Sequence, residues 1–311
     1  MVQNCMIKRC FLFGLLFLVC FNSALIASKT AKIKVFVSVL PQKYFVERIA
    51  GDFAEVEVLV GPGQSPHNYE PLPKQMSEIA RAEVFFSVGV SYEKRFLKKF
   101  ASLFPKLKIV ATDEGIKKRS LSEFEGDCGD YDDHSEHSHL VDCEHSHEKG
   151  ALDPHIWLDP VLAIKQAETI ALALGELRPG IKKELAVNYE VFKQENNKIV
   201  EELTQILEPL KGQTMLVFHP AFGYFADRFG LVQRSVETEG KEPGPRQLAE
   251  LIRKCRAENI HVIFVQKQFP VAAAKTIAES INGFVIGIDP LSEDYFENLR
   301  FMAYSLKKLK K

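Results

Sequence analysis

From Ile181 to Lys211 the only proline is Pro209, and Leu185, Tyr189, Phe192, Ile199, Leu203, Ile206 and Leu210 recur at steps of three and four residues. Asn196 fills the one step without an apolar side chain. One apolar face therefore runs for about eight helical turns. At ~1.5 Å per residue such a helix spans roughly 45 Å, enough to run along two bodies. A rod of this length restricts hinge bending where a flexible linker would permit it. The alternative is two helices broken near Glu195-Asn196-Asn197.

On either side of this stretch the pattern alternates. Ile33 to Leu40, Val56 to Val60, Val84 to Val90 and Lys108 to Thr112 are apolar, β-rich runs, separated by helical patterns over Pro41–Ala50, Pro73–Ala82 and Tyr92–Phe104. The second half repeats the scheme, with strands at Thr214–Phe218, Leu231–Val236, His261–Val265 and Phe284–Ile288. Its helices fall at Ala221–Phe229, Gln247–Glu258, Val271–Ile281 and about Glu293–Lys308. Strands separated by helices indicate βαβ units. The expected fold is α/β, with two lobes, each a mainly parallel sheet flanked by helices, joined by a long rigid backbone helix. The expected division is a leader over 1–28, a first lobe over 29–180, a linking helix over 181–211 and a second lobe over 212–311.

Lys8 and Arg9 precede an apolar run from Phe11 to Phe21, followed by small residues up to Ser28. This reads as a secretory signal peptide. Eleven apolar residues are too few to cross ~30 Å of hydrocarbon as a helix. The protein is expected to be exported and periplasmic, or attached to the cell surface if Cys20 is lipidated. Past the leader only Cys128, Cys143 and Cys255 remain. In an oxidising compartment Cys128 and Cys143 could bridge the base of a loop, whereas Cys255, in a helical pattern, reads as a small buried hydrophobe. A net charge of −1 leaves no basic field for a polyanion, so no nucleic-acid partner is expected.

Histidine carries the chemistry. Five of the nine histidines, His134, His137, His139, His145 and His147, lie in an acidic, aperiodic loop over 126–150. Such a tract reads as a low-affinity metal collector or as a solvated insertion. Four further side chains occupy strand ends or turns beside proline. His67 follows Pro66 in a Gly/Pro-rich loop, His155 sits in Asp153-Pro154-His155, His219 precedes Pro220, and Asp289 precedes Pro290. In open α/β sheets ligands bind outside the carboxyl ends of the strands. Two ligands from each half would place a metal between the lobes. Trp157 and Tyr224 are expected to wall the cleft, Glu70 or Asp159 to hydrogen-bond a ligand imidazole, and His261 to be structural.

Several segments also resemble one family. They are Pro66-His67-Asn68-Tyr69-Glu70-Pro71, Asp153-Pro154-His155-Ile156-Trp157-Leu158-Asp159-Pro160, Phe218-His219-Pro220-Ala221-Phe222-Gly223-Tyr224-Phe225, Glu239-Gly240-Lys241-Glu242-Pro243-Gly244-Pro245 and Ile288-Asp289-Pro290-Leu291. Together they resemble the zinc and manganese solute-binding proteins of ABC importers (TroA-like, cluster A-I), and among these the ZnuA-type zinc-binding branch. The resemblance implies two lobes on a rigid backbone helix, metal ligands at His67, His155, His219 and Asp289, and partnership with a membrane permease and its ATPase, as a monomer. Manganese-type members place glutamate at the position matching His219. Three imidazoles and one carboxylate suit Zn²⁺ better than Mn²⁺, which prefers oxygen, with Mn²⁺ or Fe²⁺ the alternatives.

Four protein ligands close a zinc sphere, which favours capture over catalysis. No catalytic residue is expected, and no HExxH, GxSxG, Walker or GxGxxG motif occurs. The enzymatic alternative is a secreted zinc hydrolase with Glu70, Glu239 or Glu242 as general base. A third reading is an adhesin in which zinc is incidental. Imidazole must be neutral to ligate, so affinity is expected to fall as pH drops through ~6.5.

Overall fold

The computed structural model describes residues 31–121, 152–237, 243–269 and 271–310. The leader, the His-rich loop with Cys128 and Cys143, and Glu239 and Glu242 lie outside the described residues.

Four strands, β1 (Ile33–Val39), β2 (Ala54–Val60), β3 (Val84–Ser87) and β4 (Lys108–Ala111), form a parallel sheet in the order β2-β1-β3-β4. β5 (Thr214–Val217), β6 (Val232–Ser235), β7 (Val262–Gln266) and β8 (Phe284–Ile288) form a second parallel sheet, ordered β6-β5-β7-β8. The two halves thus share one topology. The interior strand β1 is buried along almost its whole length, which is why it reads as a continuous Val/Phe run. The edge strand β2 alternates, with Glu55 and Glu57 exposed and Val56 and Val58 half-buried.

Helix α1 (Leu40–Ala50) starts directly at the end of β1. Pro41 is tolerated in its first turn, and the Gln42 Oε1 reaches back to accept from the Ser38 N–H at 3.0 Å. The Gln42 Nε2 donates to the Ser87 carbonyl and to Thr112 Oγ1, tying together the ends of β1, β3 and β4. Helices α2 (Pro73–Ile79) and α3 (Glu93–Leu103) complete the helices of the first half's crossovers. Glu93, at the start of α3, is buried and accepts from Ser38 Oγ and from the Val88 and Gly89 N–H groups. Burial pushes its carboxyl up to about 7.

Residues 160–177, to which the sequence patterns assigned no element, form α4 (Pro160–Leu177). Asp159 caps it by accepting from the Val161 N–H at 2.8 Å, with Pro160 at the first helical position. Helix α5 (Lys182–Leu207) is continuous through Glu195-Asn196-Asn197. Buried Asn196 donates to the Phe192 carbonyl at 2.9 Å, so its amide nitrogen is satisfied without opening the helix. Short 3₁₀ turns at Pro179–Ile181 and Glu208–Leu210 flank α5, so the α-helical part is 26 residues, about 39 Å long.

The second half carries α6 (Gly223–Phe229), α7 (Pro245–Ala257), α8 (Val271–Ser280) and α9 (Tyr295–Leu306). The last of these returns to the first half. Tyr295 meets Phe45 of α1 edge-on at 4.9 Å, and Phe296 stacks on Phe192 of α5 at 5.9 Å. Arg300 pairs with Glu202 of α5, Arg48 with Glu195, and Lys43 with Glu293. One apolar core therefore joins the first sheet, α1, α4, α5 and α9, while a smaller cluster around Leu216, Phe218, Ile263 and Ile277 lies in the second half. Cys255 is buried in that smaller cluster, and burial pushes its thiol up to about 11. Among the described residues no helix is long and apolar enough to cross a membrane.

Candidate metal centre

Three of the four side chains expected to ligate come together. His67 lies in the loop after β2, His155 in the turn before α4, and His219 just after β5. One ring nitrogen from each lies within 4.8 Å of the other two. The His67 and His219 Nε2 atoms are 2.9 Å apart. His155 and His219 are 3% and 7% exposed, and His67 is half-buried.

Local structure fixes each ring. Asp153 Oδ1 lies 2.7 Å from His155 Nδ1 and also accepts from the His155 N–H at 2.9 Å. Glu237 Oε2 lies 2.7 Å from His219 Nδ1. The Glu237 N–H donates to the Phe218 carbonyl, which extends the β5–β6 pairing and sets the carboxylate beside the ring. Gln266, at the end of β7, accepts from the His219 N–H and donates to its carbonyl. Ser91 Oγ lies 3.4 Å from His67 Nδ1. A carboxylate behind Nδ1 fixes the tautomer and leaves Nε2 free for a cation, the usual support of a ligating imidazole.

These partners differ from those expected. Asp159 caps α4 and pairs through both oxygens with Arg228, at 2.9 and 2.7 Å. Glu70 is exposed, 3.8 Å from Arg95. Asp153 stood in plain view two residues before His155. Glu237 had no sequence signal, because its place beside His219 arises only from strand pairing. Trp157 and Tyr224 stand one layer behind the cavity, against His155 and Asp153. The Trp157 ring is 5.3 Å from His155, and the Tyr224 hydroxyl donates to the Asp153 carbonyl while accepting from the Arg119 N–H. His261 is exposed, just before β7, with Nδ1 3.2 Å from the Ile281 carbonyl.

Asp289, the fourth expected ligand, directly follows β8 but does not join the trio. Its Oδ1 accepts from the Leu291 N–H at 3.0 Å and from Gln268 Nε2 at 3.3 Å, and its Oδ2 lies 3.3 Å from Lys267 Nζ. The following peptide is held from the first half, since Trp157 Nε1–H donates to the Pro290 carbonyl at 2.7 Å.

Electrostatics disfavour protonation of His67 and His219. Burial and the adjacent His219 and His155 depress the His67 imidazole to about 3. Burial also lowers His219, partly offset by Glu237. The rings open on a cavity of about 20 Å³ lined by Ser65, Pro66, Phe269, Pro290 and Leu291. That is room for one ion or one water.

The family model for the periplasmic zinc-uptake complex component A matches residues 35–309. The chain belongs to this family. Its similarity to individual members extends over most of its length. It is 29% identical over 271 residues to the high-affinity zinc uptake system protein ZnuA of Yersinia pestis, covering 84% of each chain. It is 26% identical over 304 residues to a putative metal-binding protein of Chlamydia trachomatis, covering 95% of this chain and 99% of that one. A crystal structure of ZnuA superposes with a TM-score of 0.79 at 33% identity, over 90% of this chain and all of that one. A laminin-binding protein of Streptococcus pyogenes superposes at 0.72 with 26% identity, over 91% of this chain and all of that chain. The zinc-uptake component A family therefore accounts for the paired parallel sheets and the long helix between them.

Proposed function

We propose that the protein is an extracytoplasmic receptor that captures Zn²⁺ between its lobes and delivers it to an ABC-type importer. The observation that carries the reading is the convergence of three imidazoles, two of them buried and backed by a carboxylate at Nδ1, on an ion-sized cavity. Neutral nitrogen donors of this kind suit zinc above manganese. Asp289 is the fourth ligand in this reading, swinging from its hydrogen-bonded position to complete the tetrahedron.

A carrier is favoured over a hydrolase because three imidazoles and the Asp289 carboxylate would close the zinc sphere and leave no open position for water or substrate. The zinc-uptake names of its relatives support the same cargo and a periplasmic location, and the leader is consistent with export. The His-rich loop, with His134, His137, His139, His145 and His147, serves as an accessory zinc collector in this reading.

Elemental analysis of protein purified without added metal, followed by chelator competition with Zn²⁺, Mn²⁺ and Fe²⁺, tests the assignment. One tight zinc per chain is expected, and His219→Ala should weaken it by at least about 100-fold. Tighter manganese binding, or an unchanged zinc affinity in His219→Ala, would overturn it.

A further inference from the structure

The turn Lys267-Gln268-Phe269, immediately after β7, touches the site in two places. Phe269 stacks on His219 with ring centres 5.0 Å apart and planes 18° from parallel. Lys267 and Gln268 hold the Asp289 carboxylate through Oδ2 and Oδ1. The Asp289 side chain is only 16% exposed, so its charge needs a partner inside the protein. Gln268 Oε1 is buried without a hydrogen-bond partner among the described residues. Asp289 is the partner that the structure gives the Gln268 amide.

We infer that Lys267 and Gln268 form an internal clamp that holds Asp289 aside in the metal-free protein and receives it again when the ion leaves. The inference rests on the reading of Asp289 as the fourth ligand. A divalent ion among three imidazoles offers the carboxylate two charges in place of the single ammonium, so arrival of the ion draws Asp289 across. Departure of the ion would otherwise strand a largely buried carboxylate, and Lys267 removes that penalty. The Lys267 side chain is 70% exposed, so the pair is weak and the clamp moderates affinity without blocking the site. Lys267 is thus a positioning residue that sets how tightly the receptor holds its cargo.

The test is a double-mutant cycle on the full chain, with zinc affinity read by chelator competition. Lys267→Met should tighten zinc binding about threefold to fivefold, the range open to an exposed ion pair. Lys267→Arg should match the parent. Asp289→Ala should weaken binding about tenfold or more, and Lys267→Met should have no effect in that background. An unchanged or weaker affinity for Lys267→Met in the parent overturns the clamp while leaving the ligand assignment intact. So does an equal gain in both backgrounds, because the lysine would then act through its field alone. An unchanged affinity for Asp289→Ala instead removes Asp289 from the ligand set, and the clamp with it.

Discussion

Burial and the two neighbouring imidazoles depress the His67 titration to about 3. In the unfolded chain the same ring titrates near 6.5. Between those values the unfolded state holds the extra proton, so stability rises with pH across the interval and is lost as pH falls below about 6.5. The metal-free protein should therefore lose stability between pH 7 and 5. His67→Ala should flatten that slope in denaturant titrations. Proton competition for this ring also begins at lower pH than free imidazole implies. Behind His219 stands Glu237, and Glu237→Ala should lower zinc affinity about 10- to 100-fold with little change in the metal-free circular dichroism spectrum. The histidines themselves were legible in the sequence from their prolines and strand ends. Glu237 was not, because the carboxylate and the ring are 18 residues apart and meet through one extra rung of the β5–β6 ladder.

At the scale of elements, the strands and most helices follow the patterns closely, since β1, β3 and β7 are buried runs and α3 and α7 are amphipathic. Helix α4 escaped because Leu162, Ala163, Ile164, Ala167 and Ile170–Leu174 leave little polar face to mark a period. Helix α6 is short, and its N-terminus is shaped by a contact the sequence did not show. A Cβ on Gly223 would lie 1.6 Å from Arg119 Nη1, and that guanidinium rests over the Tyr224 ring 5.9 Å away. Gly223→Ala should destabilise the protein by about 1–3 kcal/mol, measured by urea titration. The Arg119 backbone N–H donates to Tyr224, whose hydroxyl holds the Asp153 carbonyl, so the same substitution should also weaken zinc binding.

At the scale of the whole molecule, the lobes share a core. Tyr295, Phe296, Tyr44, Phe45 and Phe192 interlock across α9, α1 and α5, and Trp157 bonds the Pro290 carbonyl from the opposite half. Opening the lobes as hinged shells would expose these rings, at roughly 25 cal/mol per Å² of apolar surface. Zinc is therefore expected to act by local rearrangement around Asp289 and the 267–269 turn. Small-angle scattering should show no resolvable change in radius of gyration on loading, whereas the thermal midpoint should rise. A hundredfold excess of zinc over Kd contributes about 2.7 kcal/mol. The sequence by itself determined the two α/β halves, the rod between them and the imidazoles beside proline, because periodicity and local turn chemistry act over a few residues. Only the tertiary structure decided that Asp153 and Glu237 orient those imidazoles, that α9 folds back onto the first half, and that Asp289 rests on Lys267. Those outcomes depend on which distant side chains packing brings within a few ångströms.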